Sequence, residues 1–281
     1  MIGENLSGPR SWRVRAGIAL GLILAVTGCG SAASETAGST TDPDAAGSTV
    51  NVAAAADLKY ALDELIEEFA EDHPGVEVAV TYGSSGNFAA QIRNGAPFDV
   101  YLSADIDLAQ DLAADGFGDP DSVFDYAVGR LVVWAPEDSP ADVEAGIEGL
   151  VSEDVRTVAI ANPEHAPYGE AAESAMETAG VAEELQTKLV LGENIAQAAE
   201  FVLSGNADVG IVALSLALSP PMTGAGSYAE VPLDSFPTLR QGGMLLDDAT
   251  AEDEDFVDFI GSEQGQATLS DYGFYPPAGE D

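Results

Sequence analysis

Four short stretches of the 281-residue chain could gather hydrogen-bond donors around a small anion: 53-AAAADL-58, 82-YGSSGN-87, 161-ANPEHAPYGE-170 and 190-VLGENI-195. In each, an apolar run of strand character gives way to a helical period. The first N–H groups of a helix have no partner inside it, and the helix dipole adds positive potential at that end. Such ends receive anions, and the Ser84 and Ser85 hydroxyls supply further donors. Two junctions fall early in the chain and two late, which suits a cleft between two lobes, each offering helix ends to one ligand. A single junction of this kind is more often an ordinary N-cap, so the signal lies in the combination. Asp57 stands out, because it puts a carboxylate where an anion site wants donors.

The elements that would position these junctions alternate along the body. Periodicity predicts strands near 50–55, 77–82, 98–103, 130–135, 157–162, 188–191, 207–214 and 239–246. It predicts helices near 57–71, 85–94, 106–114, 168–179, 194–204, 251–261 and 263–272. Runs such as 157-TVAIA-161 and 209-VGIVAL-214 have the unbroken apolar character of strands buried on both faces. Alternating β and α elements give an α/β fold with a parallel-type sheet, whose ligands bind beyond the carboxyl ends of the strands. No internal sequence repeat is apparent.

Composition narrows the possibilities. The chain carries 49 Asp and Glu against nine Lys and Arg, a net charge of −40. Nucleic acid is excluded as a partner, since phosphate contacts need basic clusters. Most of the acidity reads as a solvated surface. Arg10, Arg13 and Arg15 precede the apolar run 16-AGIALGLILAV-26, followed by 27-TGC-29, the layout of an export signal over residues 1–28. The tetrapeptide 26-VTGC-29 resembles a bacterial lipoprotein signal, which implies cleavage before Cys29 and lipidation of its sulfur; a plain secretory signal is the alternative. Residues 29–48, rich in Ser, Thr, Ala and Gly, read as a tether. The sole cysteine, Cys29, excludes a disulfide within the chain.

Catalytic chemistry finds little support. There is no G-x-S-x-G elbow and no H-E-x-x-H, and 83-GSSG-86 lacks the lysine of a P-loop. His73 reads as a residue at a helix C-terminus. His165 is the better functional candidate, yet no metal-ligand spacing accompanies it. The expectation is a binding protein without cofactor or separate metal site; a secreted enzyme acting on an anionic substrate, with His165 as base, is a distant alternative.

The stretches 50-VNVAAAADLKYALDELIEEF-69, 82-YGSSGNFAAQIRNGAPFDVYLSAD-105, 162-NPEHAPYGEAA-172, 190-VLGENIAQAAEFVLSGNADVGIV-212 and 273-GFYP-276 resemble the extracytoplasmic molybdate-binding proteins of ABC importers. The resemblance implies a two-lobed periplasmic-binding fold, type II-like, closing on molybdate or tungstate. It places lobe I at 49–130 plus 236–281 and lobe II at 131–235. It implies oxyanion contacts at Ala56 and Asp57, at Ser84 and Ser85, and at the backbone N–H groups of Tyr168 and Ile195. A tyrosine hydroxyl that some members add after the Gly-Ile-Val strand is replaced here by Ala213, and the Tyr168 hydroxyl could substitute, although packing is its simpler role. The implied partners are an ABC permease and its ATPase, with the chain a lipid-anchored monomer outside the cytoplasmic membrane.

At Asp57 the family pattern has a neutral Ser or Asn, and three readings stay open. The carboxylate caps the helix by accepting from N–H groups near Tyr60. Or it is protonated in the closed complex and donates to the anion. Or it accepts a proton carried by the ligand, which would shift the ligand class to phosphate-like or other protonated oxyanions.

Overall fold

The computed structural model describes residues 48–277. The expected signal, tether and Cys29 lie outside these residues, apart from Ser48, the first residue of β1. The first half runs β1 (Ser48–Ala55), a 3-10 turn (Ala56–Leu58), α1 (Lys59–Asp72), β2 (Val76–Gly83), α2 (Ser85–Arg93), β3 (Val100–Ser103), α3 (Ile106–Ala114) and β4 (Phe124–Val128). The second half begins with β5 (Leu131–Pro136), β6 (Val158–Ala161), α4 (Pro167–Thr178), α5 (Ala182–Leu185) and β7 (Leu189–Gly192). It continues with α6 (Ile195–Leu203), β8 (Val209–Ala213), α7 (Leu214–Ala217) and β9 (Gly226–Glu230). The chain then returns through β10 (Arg240–Leu245), α8 (Ala251–Gly261) and α9 (Glu263–Asp271).

Two five-stranded sheets result, ordered β2-β1-β3-β10-β4 and β7-β6-β8-β5-β9. Their architecture is the same although the sequence shows no repeat. In each, three parallel strands occupy one side, and the fourth position holds a strand antiparallel to both neighbours. The expectation of a wholly parallel sheet is therefore corrected. Those antiparallel strands, β5 and β10, are the ones that follow the chain's two passages between sheets, at 129–130 and 231–239. Hydrophobic pattern reports burial and is blind to strand direction, so this mixture was hidden.

Local chemistry explains the elements. β1, β3, β6 and β8 are buried nearly end to end, as their apolar runs require. α1 buries Ala61, Leu62, Leu65 and Phe69, one stripe at helical spacing, against the first sheet. α6 does the same with Ile195, Ala198, Ala199 and Val202 against the second. His73 closes α1 as its C-cap residue and stacks on Phe69 with ring centroids 4.1 Å apart.

The sheets present their site-bearing ends in register. Ala55 at the end of β1 pairs with Gly83 at the end of β2, and Ala161 at the end of β6 pairs with Gly192 at the end of β7. All four junctions thus open at the carboxyl ends of adjacent parallel strands, two per lobe.

Candidate oxyanion site

Each residue singled out from sequence sits at or next to a helix start. Ala56 and Asp57 open the 3-10 turn that leads into α1, Ser85 is the first residue of α2 and Ser84 its N-cap. Tyr168 is the second residue of α4, and Ile195 is the first of α6. At such positions the backbone N–H has no intrahelical acceptor and is available to a ligand. Asp57, Ser85, Tyr168 and Ile195 are all at most 3% exposed, so the group lies inside the closed body and away from the surface.

Specific contacts bring the four junctions together across the lobes. The Gln241 side-chain amide donates to Asp57 Oδ2 at 2.6 Å and to Tyr168 Oη at 3.0 Å, joining the first junction to the third. The Ser215 hydroxyl donates to the Asp57 carbonyl at 2.8 Å. α6 packs on the Ala56–Leu58 turn, joining the fourth junction to the first. The Gly86 N–H donates to the His165 carbonyl at 3.0 Å, and Asn87 Nδ2 donates to Glu193 Oε1 at 2.7 Å.

Two serines that look alike in sequence behave differently. Ser85 Oγ accepts from the Ala104 N–H at 3.0 Å, and its carbonyl accepts from Tyr101 Oη at 2.8 Å. An accepting hydroxyl keeps its own proton to give, so Ser85 is a preset donor. Ser84, expected to add a second donor, instead gives its hydroxyl proton to the His165 carbonyl. That part of the expectation is corrected: Ser84 ties the lobes together.

Asp57 is likewise resolved in part. No side chain caps the 3-10 turn or α1, and the carboxylate faces Gln241 and Tyr168, so the cap reading fails. Burial raises its pKa to about 6, against the opposing pull of hydrogen bonds from Gln241, Tyr168 and the N–H groups of Asp57 and Leu58. Among the described residues no Lys or Arg is bonded to it, and Oδ1 has no partner. The Tyr168 hydroxyl is polar machinery as well as packing. Burial and the nearby Asp57 charge hold its pKa well above the ordinary phenol value, so it stays protonated.

Gln241 went unnoticed in the sequence. It is fully buried in β10 and lies 184 residues from Asp57, with its Oε1 unpaired. A polar amide in the middle of an apolar strand, 240-RQGGML-245, was the available signal. Gly129, on the first passage between lobes, is needed at the same spot. A Cβ there would stand 2.3 Å from Tyr168 Oη and 2.6 Å from Gln241 Nε2.

Helix ends from two lobes converging on a buried, donor-rich site define a two-lobed binding protein. The chain belongs to the bacterial extracellular solute-binding protein family, whose model matches residues 50–275. It is 37% identical over 236 residues to the molybdate-binding protein ModA of Rhodobacter capsulatus, covering 83% of this chain and 90% of that one. The ModA protein of Azotobacter vinelandii is 35% identical over 229 residues, covering 80% and 89%. The solved structure of the Azotobacter vinelandii periplasmic molybdate-binding protein superimposes with a TM-score of 0.76 at 30% identity, covering 82% of this chain and 100% of that chain.

Proposed function

We propose that this protein captures molybdate, and tungstate with it, outside the cytoplasmic membrane and delivers the anion to an ABC importer. It is a binding protein and not an enzyme. One observation carries the ligand class: four helix starts, two from each lobe, meet in a buried site whose polar groups are neutral donors and a single carboxyl of raised pKa. Charge-assisted hydrogen bonds from such preset donors are about twice as strong as neutral ones, which suits a desolvated dianion without a counter-cation. A rigid donor cage leaves the smaller sulfate underbonded, while molybdate and tungstate differ too little to be told apart.

In this reading the contacts are the N–H groups of Ala56, Asp57, Tyr168 and Ile195 and the hydroxyl of Ser85. The lobes are 49–130 with 236–281, and 131–235. The protein acts as a monomer, held to the membrane by lipid on Cys29. Asp57 is protonated when the anion is bound, because the dianion adds to the desolvation that already favours the neutral form.

Calorimetric titration with molybdate, tungstate, sulfate and phosphate tests the assignment. Tight binding of the first two alone is expected; phosphate binding with molybdate silent would overturn it. Protonation of Asp57 makes binding above pH 6 take up about one proton, seen as a dependence of the binding heat on buffer ionisation enthalpy. Asp57→Asn should remove that dependence and keep the affinity.

A further inference from the structure

The loop at 83–87 of the first lobe and the loop at 162–165 of the second are joined by bonds that the anion contacts do not need. The His165 carbonyl accepts from the Gly86 N–H at 3.0 Å and from the Ser84 hydroxyl. With its proton given to that carbonyl, the Ser84 oxygen can only accept at its 3.0 Å contact with His165 Nδ1, which places the imidazole proton on Nδ1. Nε2 is then the acceptor, and Asn162 Nδ2 lies 3.2 Å from it. The amide orientation is consistent, since Asn162 Oδ1 accepts the Glu164 N–H at 3.1 Å. Beside this set, Asn87 Nδ2 donates to Glu193 Oε1 at 2.7 Å.

The arrangement places a serine and a histidine together with Glu193 Oε1 3.9 Å from Nε2, which invites a nucleophile reading. The protons run the wrong way for it. Nδ1 donates to Ser84 and so cannot take its proton, and the hydroxyl is committed to a carbonyl. The bonds from Ser84, Gly86 and Asn87 all cross from one lobe to the other, and none survives their separation.

We propose that this clasp sets how long the closed protein keeps its anion. Ser84 and His165 are positioning residues: they touch each other across the mouth and act on the ligand through closure. Bonds that form after capture and break before release belong to the dissociation rate, and the association rate is untouched.

The probe is radiolabelled molybdate, which rests on the ligand proposed above. Its release into excess unlabelled molybdate and its uptake are timed separately. His165→Ala and Ser84→Ala should each speed release about three- to tenfold, the usual worth of a neutral hydrogen bond, with uptake unchanged. The double variant should release no faster than either single, since both remove one interaction. His165→Asn keeps a donor near the place of Nδ1–H and should restore most of the retention. Wild-type release from His165→Ala, additive losses in the double variant, or a slowed uptake that accounts for the lost affinity would each overturn the clasp. A wild-type protein that takes up no molybdate would overturn the ligand assignment and the residence-time proposal with it.

Discussion

Where residues 84–87 meet His165 and Glu193, the lobes are tied mainly by neutral hydrogen bonds; where 104–107 meets α4, they face each other with carboxylates. Asp105 and Asp107 of the first lobe and Glu170 of the second line a cavity of about 190 Å³, with Pro167, Ser174 and Thr238 completing its wall. Burial raises the pKa of both Asp105 and Glu170, and the Asp105 charge raises Glu170 further. Asp57 is the deepest carboxyl at the lobe contact. The two seams differ in range as well as sign. Hydrogen bonds reward closure only at contact, whereas like charges oppose it from farther away and yield to salt. Such a molecule closes readily once something favourable fills the site, and salt or acid helps it.

The largest test removes the buried charge. A carboxyl whose pKa rises from 3.8 to about 6 on folding contributes stability below about pH 4, which is lost as pH climbs through 6. Asp57→Asn should therefore stabilise the protein at pH 7.5 by at most roughly 3 kcal/mol, two pKa shifts of about 1.4 each, and not at pH 4. Denaturant melts at the two pH values decide it; an equal effect at both would mean that the carboxyl carries no charge at neutral pH.

Next comes the clasp itself. A Cβ on Gly86 would stand 2.6 Å from the His165 carbonyl oxygen, so Gly86→Ala blocks the tied seam by contact with rigid backbone. Molybdate affinity should fall about ten- to a hundredfold, the scale of overpacking a close contact. Retained affinity in a calorimetric titration would show that the loops part without loss. The smallest effect belongs to the acidic seam. Glu170→Gln should raise affinity about twofold at low ionic strength, as exposed charges are worth little. The gain should vanish near 1 M salt, where screening extends only about 3 Å. A gain that persists in salt would point to packing and would erase the contrast between the seams.

Much of this was legible in the sequence because a change of period beside glycine or serine is a local signal. All four junctions and their helices fall where 53-AAAADL-58, 82-YGSSGN-87, 161-ANPEHAPYGE-170 and 190-VLGENI-195 predict. β4 and β9 escaped notice. The segments 124-FDYAV-128 and 226-GSYAE-230 are short, interrupted by acids, and lie at the last position of each sheet. Gln241 was invisible for another reason: its meaning comes from Asp57 and Tyr168, which sequence distance hides. His165 was noticed for its chemistry, and only the direction of its protons shows that it fastens and does not react.

The fourth strand of the first sheet, β10, has a consequence for timing. It lies between β3 and β4, yet more than a hundred residues separate it from β4 in the chain. A polypeptide emerging from its amino end can complete the second sheet, 131–230, while the first still has a gap in its middle. Until 240–245 arrives, β3 and β4 hold unpaired edges and Asp57 lacks Gln241. The half made first is finished last, and competence to hold an anion waits for the strand that fills the gap.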